Sequence, residues 1–200
     1  MDEQGAGGRH EIMAVLSRTE ILGRLGLPIR DDKSFVVTPF EESAIDPDSL
    51  DLRLGSHFLF PKVPAGPAIK LRNRSVPSSE FNVHVRNGGE LVLPAHQTVL
   101  GATLEFIKLP FDVSGQILTK SGIARMFVII ETAPWVHPNY RGCLTLEIAN
   151  VSNSAVILEP GMRIGQLILM SVENPEKLSA LNGTYIGPIH PETPRNRHHH

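Results

Sequence analysis

The chain has 200 residues, 41% of them hydrophobic and 20% charged, with a formal net charge of −2 at pH 7. That is enough to bury one core and reads as one domain, and so small a charge gives no support to a broad nucleic-acid or membrane surface. A single cysteine, Cys143, excludes an intrachain disulfide framework and a multi-cysteine zinc site.

No apolar run approaches the roughly 18 residues of a membrane span, and the N-terminus lacks the apolar stretch of a signal peptide. A soluble, cytoplasmic protein is expected. Residues 1–12 are Gly-rich and polar and read as a disordered leader to a domain over 13–174. Ser17-Arg18-Thr19-Glu20 has the form of a capping box, with Ser17 as N-cap and Glu20 reaching back. Leu16, Ile21, Leu22 and Leu25 supply an apolar stripe, and Gly26 a stop, so one short helix is expected there.

From Phe35 onward the helical period disappears. "SFVVTPF", "LDLRLGSHFLF", "FNVHVRN", "ELVLPAHQTVLGATLEFIKL", "VSGQIL", "MFVIIETA", "GCLTLEIAN", "AVILEP" and "GQLILMSV" are short, β-branched or alternating runs. Asp46-Pro47, Asn87-Gly88-Gly89, Pro110, Pro138-Asn139, Arg141-Gly142 and Pro160-Gly161 punctuate them. The expected fold is mainly β, a barrel or jelly roll behind one short N-terminal helix. Residues 175–195 are irregular and marked by Pro175, Pro188, Pro191 and Pro194, which suits a lid or tail rather than a core element. Residues 196–200 read as a tag remnant, so His198, His199 and His200 enter no metal argument.

Two stretches carry chemistry. In "CLTLEIAN", Leu144, Leu146 and Ile148 share one face of a strand, while Cys143, Thr145, Glu147 and Ala149 share the other. An isolated carboxylate in an apolar interior is costly, so Glu147 faces bulk water, pairs with a cation, or lines a pocket. In "TKSGIARMFVII", Lys120, Ser121 and Gly122 offer a charge, a hydroxyl and a permissive backbone, followed by Arg125. That kit suits a triphosphate, and it equally suits an ordinary turn with two solvated cations. The Walker spacing is absent.

"AVLSRTEIL", "AIDPDSLDLRLGSHF", "LPAHQTVLGATLEFIKLPFDVSGQILTKSGIAR", "ETAPWVHPNYRGCLTLEIANVSN", "LEPGMRIGQLILM" and "GTYIGPIHPETPR", in that order, resemble the dCTP deaminases, a family in the superfamily of the trimeric dUTPases. The resemblance implies a dUTPase-like distorted β-barrel that forms a homotrimer, with active sites shared between subunits. It implies hydrolysis of dCTP to dUTP and ammonia, with a bifunctional branch continuing to dUMP and pyrophosphate. Glu147 matches the catalytic glutamate, Arg125 the arginine that orients the site from an adjoining subunit, and Ser121 a catalytic serine. Lys120, Gly122 and Ala124 match the loop around them. Ala133, His137, Thr145, Leu146, Gln166 and Tyr185 match further substrate-binding positions, Gln166 being a residue of the bifunctional branch. No intrinsic cofactor is implied: magnesium accompanies the triphosphate. The chemistry needs no zinc, and a one-cysteine chain lacks the paired cysteines of zinc deaminases.

The chain departs from the family pattern at the substrate. His137 stands where the family has an aspartate beside the sugar, and Trp135 replaces a polar residue. Gly122 replaces a serine, Thr184 a phosphate-binding lysine, and Pro188 a glutamine. Glu176 lies near an expected tyrosine. Each lost charge-assisted bond to phosphate is worth roughly 1.5–3 kcal/mol. These changes leave open a nucleotide-binding member with altered substrate or weak turnover. His10, His57, His84, His96 and His190 read as scattered surface or turn residues, and Cys143 as a small packing residue.

Overall fold

A computed structural model describes residues 14–62, 79–86, 88–130, 133–173 and 187–192. Helix α1 (Arg18–Leu25) opens the domain and is followed by β1 (Val36–Thr38), a 3-10 turn at Glu42–Ala44, β2 (Leu50–Arg53), β3 (His57–Lys62) and β4 (Ser79–His84). Then come β5 (Leu91–Leu93), β6 (Thr98–Lys108), β7 (Val113–Thr119), the single turn α2 (Ser121–Ala124) and β8 (Val128–Ile130). The series closes with β9 (Trp135–Val136), β10 (Arg141–Asn150), β11 (Val156–Leu158) and β12 (Arg163–Ser171). The mainly β expectation holds. Among the described elements, sequence reading missed β9, α2 and the 3-10 turn.

The helix forms where its caps dictate. The Ser17 side chain accepts from the Glu20 amide while the Glu20 carboxylate accepts from the Ser17 amide, and Gly26 is the C-cap. These bonds hold the Glu20 carboxyl below its usual range, the Ser17 hydroxyl contributing most. Ile21 is fully buried, and Arg24 makes a two-pronged ion pair with Asp112, 2.8 and 2.9 Å, that ties the helix to the β6–β7 turn. Ser17→Ala is expected to cost about 1 kcal/mol, read as a lower midpoint in urea with the same slope.

One sheet has the order β4-β3-β6-β10-β8, with β1 pairing the far end of β6; a second has the order β2-β12-β7-β9; β5 and β11 pair separately. All these pairings are antiparallel. The sheets close over one core in which Leu146 and Ile148 of β10 join Leu167 and Leu169 of β12. Two contacts show how tightly: the Ile130 side chain approaches Gly165 so closely that a Cβ there would sit 3.2 Å from it, and the Ile130 amide donates to Thr119 Oγ1 at 2.9 Å.

The β6–β10 ladder is interrupted once. Cys143 pairs Phe106 and Thr145 pairs Ala102, so Thr103, Leu104 and Glu105 stand opposite Leu144 alone. Thr103 Oγ1 accepts from the Leu144 amide at 2.9 Å and donates to the Glu105 carbonyl at 2.8 Å, which satisfies the backbone groups the irregularity frees. The Glu105 carboxylate, 3% exposed, turns inward to accept from the Arg53 amide (2.9 Å) and Nε (2.7 Å). That ion pair raises the Arg53 guanidinium further above its usual value.

Turn chemistry matches the punctuation at several places. Asn139 and Gly161 have φ of 62° and 89° in their turns, and His96 (φ 59°) occupies the turn before β6. Arg141-Gly142 is a correction. Both residues lie inside β10, and the glycine serves a different need described below.

Candidate active site

Strand β10 runs between β6 and β8. Leu144, Leu146 and Ile148 are 4%, 0% and 0% exposed, while Thr145 and Glu147 on the opposite face are half-buried. The alternation expected of "LTLEI" therefore holds, and Glu147 is neither sealed in the core nor open to bulk water. Ala102 stands directly across from Thr145, Leu100 across from Glu147, and Thr98 across from Ala149, so small and apolar neighbours share their face. Cys143 is buried, and burial, with the nearby Glu105 charge, pushes its thiol up; it packs and is poorly suited to nucleophilic work.

The described end of the chain, residues 187–192, lies along this strand. The Gly187 amide donates to the Arg141 carbonyl (2.7 Å), the Cys143 amide to the Pro188 carbonyl (2.7 Å), and the Glu192 amide to Thr145 Oγ1 (3.4 Å). Pro188 and Pro191 are buried. This contact explains Gly142. Its φ of 142° disfavours a side chain, and a Cβ would sit 2.5 Å from Pro188 Cδ. Tyr140 belongs to the same corner: its hydroxyl donates to the Cys143 carbonyl at 2.8 Å, and burial raises its pKa.

The second stretch forms the turn between β7 and β8. Lys120 is the N-cap of α2, Arg125 its C-cap, and Ser121, Gly122, Ala124 and Arg125 are exposed. Lys120 is not a solvated cation. Its ammonium pairs with the Asp51 carboxylate, which is 2% exposed and also takes Arg163 Nη1 at 3.3 Å; Arg163 Nη2 donates to Ser43 Oγ at 3.1 Å. Gln166 is half-buried on β12, in register with Asp51 on one side and Leu118 on the other. The structure thus brings Lys120, Gln166 and Asp51 into one neighbourhood and Thr145, Glu147 and the chain end into another.

Directly after the turn, Met126 and Phe127 are 67% and 62% exposed, and Phe127 adopts a φ of 59°. That conformation is strained for a bulky residue. Ala133 and His137 are exposed on either side of β9, where Trp135 is 43% exposed. Tyr185, Thr184 and Glu176, with the leader and tag residues, lie outside the described residues.

Two arrangements were missed in the sequence. One is Asp51 as the anchor of Lys120. "LDLRL" places a carboxylate among buried leucines by the same alternation that singled out Glu147, and that signal was available. The other concerns the histidines: His57, His84 and His190 are not scattered but stack together.

The sequence pattern of the dCTP deaminase-like family matches residues 15–172. A relative from Methanosphaerula palustris called "dCTP deaminase, dUMP-forming" is 37% identical over 142 residues, covering 70% of this chain and 75% of its own. One of the same name from Coprothermobacter proteolyticus is 35% identical over 165 residues (82% and 88%). A "dCTP deaminase" from Halorubrum lacusprofundi is 34% identical over 167 residues (82% and 80%). The fold resembles the crystal structure of 2'-deoxycytidine 5'-triphosphate deaminase from Agrobacterium tumefaciens with a TM-score of 0.61 at 20% identity, covering 80% of this chain and 48%, about half, of that one. By the extent of that pattern and the identity of those relatives, the chain belongs to the dCTP deaminase-like family.

Proposed function

We propose that the chain hydrolyses the 4-amino group of dCTP, giving dUTP and ammonia. The observation that carries this reading is the half-buried Glu147 carboxylate on the Thr145 face of β10, beside small and apolar neighbours, with the chain end bonded to Thr145 on the same face. Glu147 removes a proton from water as the water oxygen bonds to C4 of the cytosine ring and the electrons of the C4=N3 double bond pass to N3. The tetrahedral carbon then releases its amino group as ammonia with the proton returned from Glu147, and the remaining hydroxyl proton ends on N3 as the C4 carbonyl forms. Thr145 and Leu146 read the base through their backbone, and Ser121 and Arg125 orient the reacting groups. Lys120, Gly122 and Ala124 form the loop wall, and Ala133, His137, Gln166 and Tyr185 contact the nucleotide, which enters as its magnesium complex. Asp51 fixes the Lys120 ammonium in this scheme.

A homotrimer with shared sites fits the exposed Arg125 turn and the exposed Met126 and Phe127 beside it, an apolar surface suited to a neighbouring subunit. A cytoplasmic location suits a nucleotide enzyme. No described helix is long and apolar enough to cross a membrane.

A second reading continues the reaction: water attacks the α-phosphorus of dUTP, giving dUMP and pyrophosphate. Gln166 and the "dUMP-forming" names of the relatives from Methanosphaerula palustris and Coprothermobacter proteolyticus favour it. His137, in place of an aspartate, disfavours it. Ion-pair chromatography of the products from dCTP and magnesium separates the two. dUTP alone supports deamination as stated, dUMP with pyrophosphate moves the chain to the second reading, and untouched dCTP overturns both.

A further inference from the structure

Three histidines far apart in the chain meet beside the seat of the chain end. His57 on β3 lies 4.4 Å, ring centre to ring centre, from His84 on β4 and 4.0 Å from His190, with ring planes tilted by 32° and 42°. Strand register sets the first contact, since His57 and His84 are paired residues. The second exists only while residues 187–192 are docked on β10. With Phe58, Val83 and Pro191 the three rings line an open cleft of about 300 Å³, through which water reaches them.

We propose that this stack is a pH-sensitive latch: neutral, it holds residues 187–192 along β10 over Thr145, and protonated, it releases them. The rings meet as tilted pairs at van der Waals separation. Among the described residues no group of His, Cys, Asp or Glu is arranged to hold a metal ion. Neutral imidazoles stack readily. Imidazolium ions at these separations repel one another and draw water into the cleft.

The direction of the effect follows from His57. Burial lowers its pKa, and His190 and then His84 lower it further. Docking is therefore at full strength above the ordinary imidazole range, about pH 6.5, and weakens as pH falls through it. Below the depressed value it changes no more, because the proton is then bound in both states. The charges acting on His57 come from His190 on the chain end and His84 on β4. Glu192 on the chain end and Arg141 and Glu147 on β10 are charged groups of the elements packed there, and Lys62 of β3 and Glu80 of β4 stand at the far end of their strands from the His57–His84 pair. On β6, Glu105 is committed to Arg53 and Lys108 to the Ile29 and Asp31 carbonyls.

Among the contacts that docking makes are two backbone bonds, the Glu192–Thr145 contact and two buried prolines. Charges added at the histidine stack act against them. Its consequence for turnover rests on the deaminase reading, because the released segment uncovers the Thr145–Glu147 face. The docking itself does not rest on that reading.

The test is the fluorescence anisotropy of a thiol dye on Ile189→Cys, a site 64% exposed, in a Cys143→Ala background of the full chain. Anisotropy is expected to hold above about pH 6.5, to fall as the pH is lowered below it, and to recover on return. In the double variant His57→Phe/His190→Phe both rings are kept and both proton sites lost, so anisotropy stays high across the range; in His190→Phe, where His57 keeps its proton site, the fall is smaller than in the unsubstituted chain. A flat profile with the native histidines overturns the latch, as does a His190→Phe profile that falls like the unsubstituted one. Because His190 lies on the exposed chain end, the single variant answers even where the double one disturbs β3. Assay with dCTP over the same range separates the two claims. A KM that rises with acid in the native protein and less in His190→Phe extends the latch to catalysis. A pH-responsive chain end in a protein that turns over no deoxycytidine nucleotide leaves the latch standing and removes the deaminase reading.

Discussion

Glu147→Gln is expected to lower deamination of dCTP by about 10²–10⁴-fold, the range by which a positioned acid–base group accelerates a proton transfer, while leaving the protein folded. The amide has nearly the shape of the carboxylate and fills the same half-buried position beside Thr145, but it neither takes a proton from water nor returns one to the departing amine. The loss should fall on kcat, with KM for dCTP little changed, because the interaction is needed in the transition state and not for binding. Ammonia release measures the first, and a melting curve beside the unsubstituted protein checks the second. A variant that keeps more than a tenth of the activity would remove Glu147 from the proton-transfer role.

The largest expected effect on stability is at Glu105. Its carboxylate is 3% exposed and bonds both the amide and the Nε of Arg53, whose side chain is itself 16% exposed. Glu105→Ala strands a buried amide and a mostly buried guanidinium together. Breaking such a pair costs about 3–5 kcal/mol. Arg53 keeps Glu41 as a partner, but that residue is 52% exposed and offers only a screened interaction. In a chain of this size the cost corresponds to a fall in Tm of about 10 °C. Glu105→Gln, which still accepts from the Arg53 amide, should lose clearly less. If the two variants melt together, the hydrogen bond that the amide keeps contributes nothing and the whole loss belongs to the charge.

What the sequence made visible was local. The Ser17–Glu20 capping box spans one helical turn, and the alternation of β10 repeats every second residue, so both are properties of neighbours along the chain. Glu147 and Thr145 were found that way. What stayed hidden depends on which strands pair. Asp51 reaches Lys120 across 69 positions, and the three histidines meet only because β3 pairs β4 and the chain end returns to β10. Gly142 looked like punctuation because glycine usually marks a turn, whereas here it clears space for Pro188 inside a strand. The two-residue β9 carries too little pattern to be seen, and exists through its pairing with Gly115 and Gln116 of β7.

The irregularity in the β6–β10 ladder has a consequence for how the chain tolerates changes of length. Between its two flanking pairs β10 advances by two residues and β6 by four. Both steps are even, and a strand reverses its facing at every odd step. Leu100 and Ala102 therefore stay opposite Glu147 and Thr145 on the correct side although the ladder is broken between them and Phe106. Removing one residue from 103–105 would reverse the parity and bring Val99, now in the core, round to the Glu147 face. Removing two would leave the facing intact but at the cost of the Thr103 and Glu105 anchors, which hold Leu54 and Arg53. The stretch thus works as a spacer in even units: it lets β6 vary in length at one end while the face that carries the carboxylate keeps its register.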